Sequence, residues 1–163
     1  MSIYVSVQTK DFTVANEYQR LRQITHSAGA VVTFSGLVRD FEVGSDEQGQ
    51  KDSLKSLTLQ HYPEMTERLL EEIIEESQKR WSVIGVTVIH RVGRLLPNDQ
   101  IVFVGVASTH RDDAFQAAQF LMDYLKTRAT FWKKADVDGT EQWLEAKGSD
   151  TAAASRWEGS KHD

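Results

Sequence analysis

The 163-residue chain contains no cysteine. That absence excludes disulfides, thiolate metal sites, iron–sulfur ligation and a nucleophilic thiol of the protein's own. Proline is scarce, with only Pro63 and Pro97 present, so few regular elements are forced to break. No apolar run approaches the roughly 18 residues of a membrane span, and the N-terminus lacks a secretory pattern. The expectation is a cytoplasmic protein with no membrane partner. Positive charge is also in deficit: 19 Lys+Arg stand against 24 Asp+Glu, for a net charge of -5. A general nucleic-acid binder needs a broad basic face, so nucleic acid is not an expected partner. A glycine-rich phosphate loop and a nucleophile elbow are missing too. No His/carboxylate cluster has ligand spacing, so neither a metal nor a cofactor is expected.

What is present suffices for one domain. Hydrophobic residues make up 40% of the chain and charged residues 26%, which supports a real core and argues against general disorder. Strand patterns run over Ile3–Gln8, Ala30–Arg39, Leu54–His61, Ile84–Arg91 and Ile101–Ser108, the last two joined by a turn at Pro97-Asn98-Asp99. Phe131–Val137 and Thr140–Lys147 flank Asp138-Gly139, a strong hairpin signal. Helical periodicity marks Val14–Ile24, Glu64–Arg80 and Asp112–Arg128. Pro63 suits a first helical position. In the second helix Met65, Leu69, Ile73 and Ile74 form the expected apolar stripe, with Glu67, Glu71, Glu72, Glu75 and Glu76 facing out. Asp40–Ser53 holds five acids, one Lys and two Gly, and reads as a mobile surface loop. Residues 1–147 are expected to form the domain and Gly148–Asp163 a loosely held, flexible tail whose Trp157 can dock. Mixed elements with short connections predict a single α+β domain with a mixed, largely antiparallel sheet.

Charge placement is more informative than net charge. Between Tyr124 and Lys134 lie Lys126, Arg128, Lys133 and Lys134 without one acid. Basic residues at a helix C-terminus also complement its dipole, by ~0.3–1 kcal/mol each. That explanation accounts for Arg128 and Lys134 as well as an anion site does, but accounts poorly for Lys133 in the following strand. A second cationic spot is Ser108-Thr109-His110-Arg111-Asp112-Asp113 at a strand-to-helix junction. Thr109 is the expected N-cap, with Asp112 completing a capping-box-like arrangement; the positive helix end suits phosphate or carboxylate. Arg39 ends a strand just before the acidic loop. His61 and His90 sit in strands and read as structural.

Seven segments then occur in a specific order. They are Ala30-Val31-Val32-Thr33-Phe34-Ser35-Gly36-Leu37-Val38-Arg39, Leu59-Gln60-His61-Tyr62-Pro63-Glu64-Met65, Val88-Ile89-His90-Arg91-Val92-Gly93 and Ile101-Val102-Phe103-Val104-Gly105-Val106. Thr109-His110-Arg111, Met122-Asp123-Tyr124-Leu125-Lys126-Thr127-Arg128-Ala129 and Phe131-Trp132-Lys133-Lys134 complete the set. Together they closely resemble the large, catalytic subunit family of molybdopterin synthase, over about Ala30 to Lys147.

The resemblance implies an α+β fold of the α/β-hammerhead type and a sulfurtransferase of molybdenum cofactor synthesis. Such an enzyme converts cyclic pyranopterin monophosphate to molybdopterin by installing two dithiolene sulfurs. The sulfur arrives as a thiocarboxylate on the C-terminal Gly-Gly of a small ubiquitin-like carrier subunit. Two large subunits form a central homodimer within a heterotetramer. Carried over by motif, the catalytic lysines fall on Lys126 and Lys133. Substrate contacts fall on Leu37, Val38, Arg39, His110, Arg111, Lys133, Lys134 and Ala135, and contacts with the partner's tail on Phe34, Met122, Lys126 and Lys147. Three positions depart from the family's habit: Leu37 replaces a frequent Lys, Thr130 a frequent Pro and Lys147 a frequent Arg. A contrasting reading is a non-catalytic anion-binding or scaffold domain that keeps the pocket without turnover. Retention of Arg39, His110, Arg111, Lys126 and Lys133 together speaks against it.

Overall fold

Strand alternation sets the architecture. In β8 (Gln100–Ser108) Val102, Val104 and Val106 join one apolar cluster while Phe103 and Ala107 join another. β6 (Val83–Arg91) divides likewise, Val86 and Val88 on one side and Ile89 on the other. Strands buried on both faces must be covered on both. Helix α1 (Val14–Gln23) covers one face through Leu21. Helices α2 (Met65–Arg80) and α3 (Arg111–Thr127) cover the other, through Leu70, Ile73 and Ile74 and through Ala114, Ala117, Phe120 and Leu121. Each fully buried Leu, Ile or Phe here contributes roughly 1.5–3 kcal/mol. Gly105 permits the close approach of α1, because a Cβ there would stand 2.4 Å from Leu21 Cδ1.

The computed structural model describes residues 2–40, 42–45, 51–129, 131–137, 139–144 and 148–158. The first sheet has the order β1-β6-β8-β2, with β1 (Ser2–Gln8) parallel to β6 and the other pairs antiparallel. β2 (Ala30–Leu37) is an edge strand. A second, antiparallel sheet has the order β10-β9-β5-β7. It is built from β5 (Ser56–His61), β7 (Gly93–Leu95), β9 (Phe131–Val137) and β10 (Thr140–Leu144). Leu57, Leu59, Leu95, Ala135 and Val38 form its core. The expected α+β class and mixed, largely antiparallel pairing are both present.

Several local expectations are corrected. Within Asp40–Ser53, β3 (Glu42–Ser45) and β4 (Lys51–Ser53) pair antiparallel; a two-stranded ribbon needs no alternating apolar pattern to pair its backbone. Pro63 is not a first helical position. Glu64, at φ 65, intervenes, and α2 starts at Met65. Ile73 and Ile74 are buried as expected, but Met65 is exposed and Leu69 only half-buried; Thr66, Leu70 and Ser77 complete the buried stripe instead. Ser77 is tolerated there because its hydroxyl donates to the Ile74 carbonyl at 2.7 Å. The tail expected over 148–163 begins as α4 (Gly148–Ser155), whose Ala152-Ala153-Ala154 run favours a helix. Trp157 does dock: its ring lies 5.5 Å from Trp81 and 5.6 Å from Phe120, and its Nε1 donates to Asp123 at 2.8 Å.

Candidate functional site

The candidate residues fall at the two ends of one sheet face. β2 and β8 pair from Ala30↔Ser108 to Leu37↔Gln100. Eight strand steps of about 3.3 Å therefore separate the ends by roughly 26 Å. Helix α3 leaves the far end of β8 and returns over the sheet, about 22 Å of rise from Arg111 to Lys126. Its return is fixed by Phe131, four residues beyond α3, which stacks on His90; His90 pairs with Val102 near the start of β8. Lys126 and Lys133 thus stand at the Leu37–Arg39 end, and His110 and Arg111 at the opposite one.

At the first end the chain is gripped before Arg39. The Val38 N–H donates to the Asp99 carbonyl at 2.8 Å, and the Asn98 N–H donates to the Val38 carbonyl at 2.7 Å. Asn98 adopts φ 74, a left-handed geometry that asparagine tolerates well. Val38 and Ala135 are 3% and 0% exposed and share one apolar cluster. Their side chains hold Arg39 and β9 in place and offer a ligand nothing directly. Arg39, Leu37 and Phe34 are exposed. Phe34 lies on the side of β2 that faces α3, as do Ala30 and Val32, which pack with α3 in one cluster. Met122 is half-buried on α3, one turn before exposed Lys126. Lys147 lies outside the described residues.

The two neighbouring lysines of β9 part company. Lys133 shares its face with Phe131 and Ala135, and Lys134 points to the other face of the pleat. There Lys134 Nζ sits 4.3 Å from the Trp143 ring centroid and 3.8 Å from the Glu141 carboxylate. Arg128 is likewise engaged structurally. Its Nη1 donates to both oxygens of Glu76, at 2.9 and 3.0 Å, with the guanidinium over the Tyr124 ring. Glu76 neutralises it, and Lys126 and Lys133 are both exposed.

At the other end His110 is the N-cap of α3 in extended geometry, with no side-chain capping bond. Thr109 is not the cap, because the helix begins one residue later than its capping would require. Arg111 Nε lies 3.8 Å from Asp112, both side chains 84% exposed, a pair too solvated to neutralise the guanidinium. Arg111 therefore adds positive charge at an already positive helix end, with the exposed His110 beside it. An open cleft of about 320 Å³, lined partly by Arg22, Thr25, His26 and Gly29, flanks this end. A second, of about 440 Å³, is lined by Gln60, His61, Tyr62, Trp132, Trp143 and Leu144, beside Lys133. Neither cleft gathers all the candidate cations.

His90, read from sequence as structural, is strongly perturbed. Burial is the main cause that lowers its pKa to about 4, and the charges of Lys133 and His61 lower it further. The neutral ring contributes no pH dependence above about 6.5. Below that the unfolded chain takes up a proton that the folded one resists, so stability falls until about pH 4, by roughly 3 kcal/mol. Urea midpoints at pH 7 and pH 4.5 should show that component lost in His90→Phe. An unchanged pH slope in the variant would count against it.

The MoaE protein family profile matches residues 7–128 of the chain. The chain belongs to the MoaE family. It is 50% identical over 153 residues to the molybdopterin synthase catalytic subunit of Escherichia coli (strain K12), covering 94% of this chain and 97% of that one. Among solved structures, the MoaE molybdopterin biosynthesis protein from Burkholderia ambifaria matches with a TM-score of 0.79 and 43% identity, over 97% of this chain and 99% of its own. Molybdopterin synthase from Staphylococcus aureus matches with a TM-score of 0.74 and 28% identity, over 85% and 95%. The resemblance read from the ordered motifs is confirmed. Placed on this MoaE chain, the motif positions resolve into two cationic stations. One holds Arg39, Lys126 and Lys133; the other holds His110 and Arg111. Among the described residues no helix is long and apolar enough to cross a membrane.

Proposed function

We propose that this chain is the catalytic subunit of a cytoplasmic molybdopterin synthase. It converts cyclic pyranopterin monophosphate to molybdopterin with two sulfurs from the C-terminal Gly-Gly thiocarboxylate of a small ubiquitin-like carrier. The observation that supports this best is the near full-length similarity to a molybdopterin synthase catalytic subunit, combined with two stations of exposed cations on one face.

The chemistry calls for such stations. In each round the thiocarboxylate sulfur forms a bond to a substrate carbon as the carbon–oxygen bond there breaks, the oxygen leaving as water or with the phosphate. The resulting acyl link to the carrier's glycine is then hydrolysed, leaving the sulfur on the substrate and a carboxylate on the carrier. Two unit negative charges 4 Å apart repel by about 4 kcal/mol at an effective dielectric constant near 20. Preorganised cations offset that repulsion without reorganisation during the reaction. Arg39, His110 and Arg111 hold the substrate and its phosphate, the arginines by bidentate contacts. Lys133 assists binding and acts with Lys126 during the transfer. Lys126 acts at the reacting carbon and the thiocarboxylate, with Phe34 and Met122 seating the carrier's tail.

One chain holds its two stations about 26 Å apart, farther than a single pterin spans. A homodimer resolves this. An isologous two-fold contact across the α3–β2 face places the ends in opposite order, so Arg111 of one copy meets Lys126 of the other. The test is reconstitution. Purified chain, thiocarboxylated carrier and cyclic pyranopterin monophosphate should yield molybdopterin. No product under conditions where another synthase turns over would refute the assignment.

A further inference from the structure

The link between the two lysines is short, and something anchors it on each side. Lys126 sits in the last turn of α3, and only Arg128, Ala129 and Thr130 separate that helix from β9. On the helix side the anchor is the two-oxygen contact of Arg128 with Glu76. On the strand side it is a ring stack. The His90 imidazole lies 3.7 Å from the Phe131 ring, centroid to centroid, with 15° between planes. His90 Nδ1 is 2.8 Å from the Arg91 carbonyl oxygen, so Nδ1 carries the proton and donates to its own strand's backbone. That bond fixes the plane of the ring. His90 is only 5% exposed, which leaves it no route to substrate. The charged or titratable groups that bear on it are Lys133 from β9 and His61 from β5, the His61 ring lying 6.5 Å from Phe131. Phe131 and Lys133 are alternate residues of one strand face, one pleat repeat apart.

We propose that His90 is a positioning residue for sulfur transfer: its uncharged ring, stacked on Phe131, sets where β9 starts and thereby where Lys133 stands relative to Lys126. This rests on the roles given above to the two lysines. A cation at His90 would repel Lys133, and an aliphatic side chain would leave Phe131 without its planar partner, so the site calls for a flat, neutral ring. Misplacing a reacting group by about 1 Å costs up to 100-fold in rate, so loss of the stack acts on turnover more than on binding.

The test measures kcat and KM in the full chain assembled with its thiocarboxylated carrier, for His90→Ala, His90→Phe and Lys133→Ala. His90→Ala should lose about tenfold in kcat with KM changed less than about twofold, while His90→Phe restores kcat to within about threefold of the parent. Undiminished kcat in folded His90→Ala overturns the proposal, and so does a His90→Phe variant as slow as His90→Ala. Should His90→Ala fail to fold, Phe131→Leu removes the stack from the other side and should show the same kcat loss; undiminished kcat there overturns it equally. Lys133→Ala separates the two layers of the argument. Full turnover in that variant overturns the lysine's role, and this inference with it. Impaired Lys133→Ala beside unimpaired His90→Ala overturns the positioning role alone.

Discussion

Lys126→Ala should reduce molybdopterin formation by at least about 100-fold while the complex with the carrier still assembles. Removing one preorganised charge-stabilising group from a reacting centre typically costs 10²–10³ in rate. The neighbouring cations cannot substitute. Arg128 is held by both oxygens of Glu76, and Lys134 faces away, toward Trp143 and Glu141. Lys126 is exposed at a helix end, so its truncation should change folding stability by no more than about 0.5 kcal/mol. Single-turnover assays read the rate, and size-exclusion chromatography with the carrier reads assembly. Turnover within threefold of the parent would show that Lys126 has a different role. Loss of the complex would move it from the chemistry to docking.

Two crippled copies should rescue each other. The stations lie at opposite ends of one face, and the proposed dimer builds a composite site with Lys126 from one copy and Arg111 from another. Lys126→Ala and Arg111→Ala proteins should each be strongly impaired when assayed below the KM of the parent, Arg111→Ala through weaker substrate binding. Mixed and re-equilibrated in equal amounts, half the dimers are heterodimers, and each heterodimer carries one intact site of two. The mixture should therefore recover about a quarter of the parent's activity. Recovery no greater than the mean of the two variants would place both residues in a site built by one chain. It would also require a rearrangement bringing the ends of α3 together, which a packed helix cannot provide.

Much of this was legible before any fold was known. The nearly continuous apolar, β-branched runs of Ile84–Arg91 and Ile101–Ser108 announced the central strands, because strands that bury side chains on both faces carry that pattern locally. The stripe Ala114, Ala117, Ala118, Leu121, Met122 and Leu125 announced α3 for the same reason; five of the six are buried and Met122 is half-buried. Where the pattern misled, a longer-range effect had intervened. Glu64 in a left-handed geometry delays α2 and leaves Met65 outside. The segment after residue 147 lacks a strong apolar period, and its anchors lie on other elements: Trp157 reaches Asp123, Trp81 and Phe120, and Ala154 is buried in the main core. His90 looked like any strand histidine, since nothing beside it in sequence shows that Phe131 closes over its ring.

The absences with which the chain presents itself gain meaning from its family. A sulfur-inserting enzyme subunit without cysteine cannot carry the sulfur itself, and the carrier must bring it. The sequence by itself determined the element types, the family and the set of cations available for the chemistry, because residue identity, local periodicity and ordered motifs are properties of the chain. Only the tertiary structure decided which cations lie together. Pleat alternation separates Lys133 from Lys134, and the Glu76 pair withdraws Arg128. The length of β8 and α3 holds His110 and Arg111 roughly 26 Å from Arg39. Those outcomes depend on distances between residues far apart in sequence, which packing sets and no local pattern encodes.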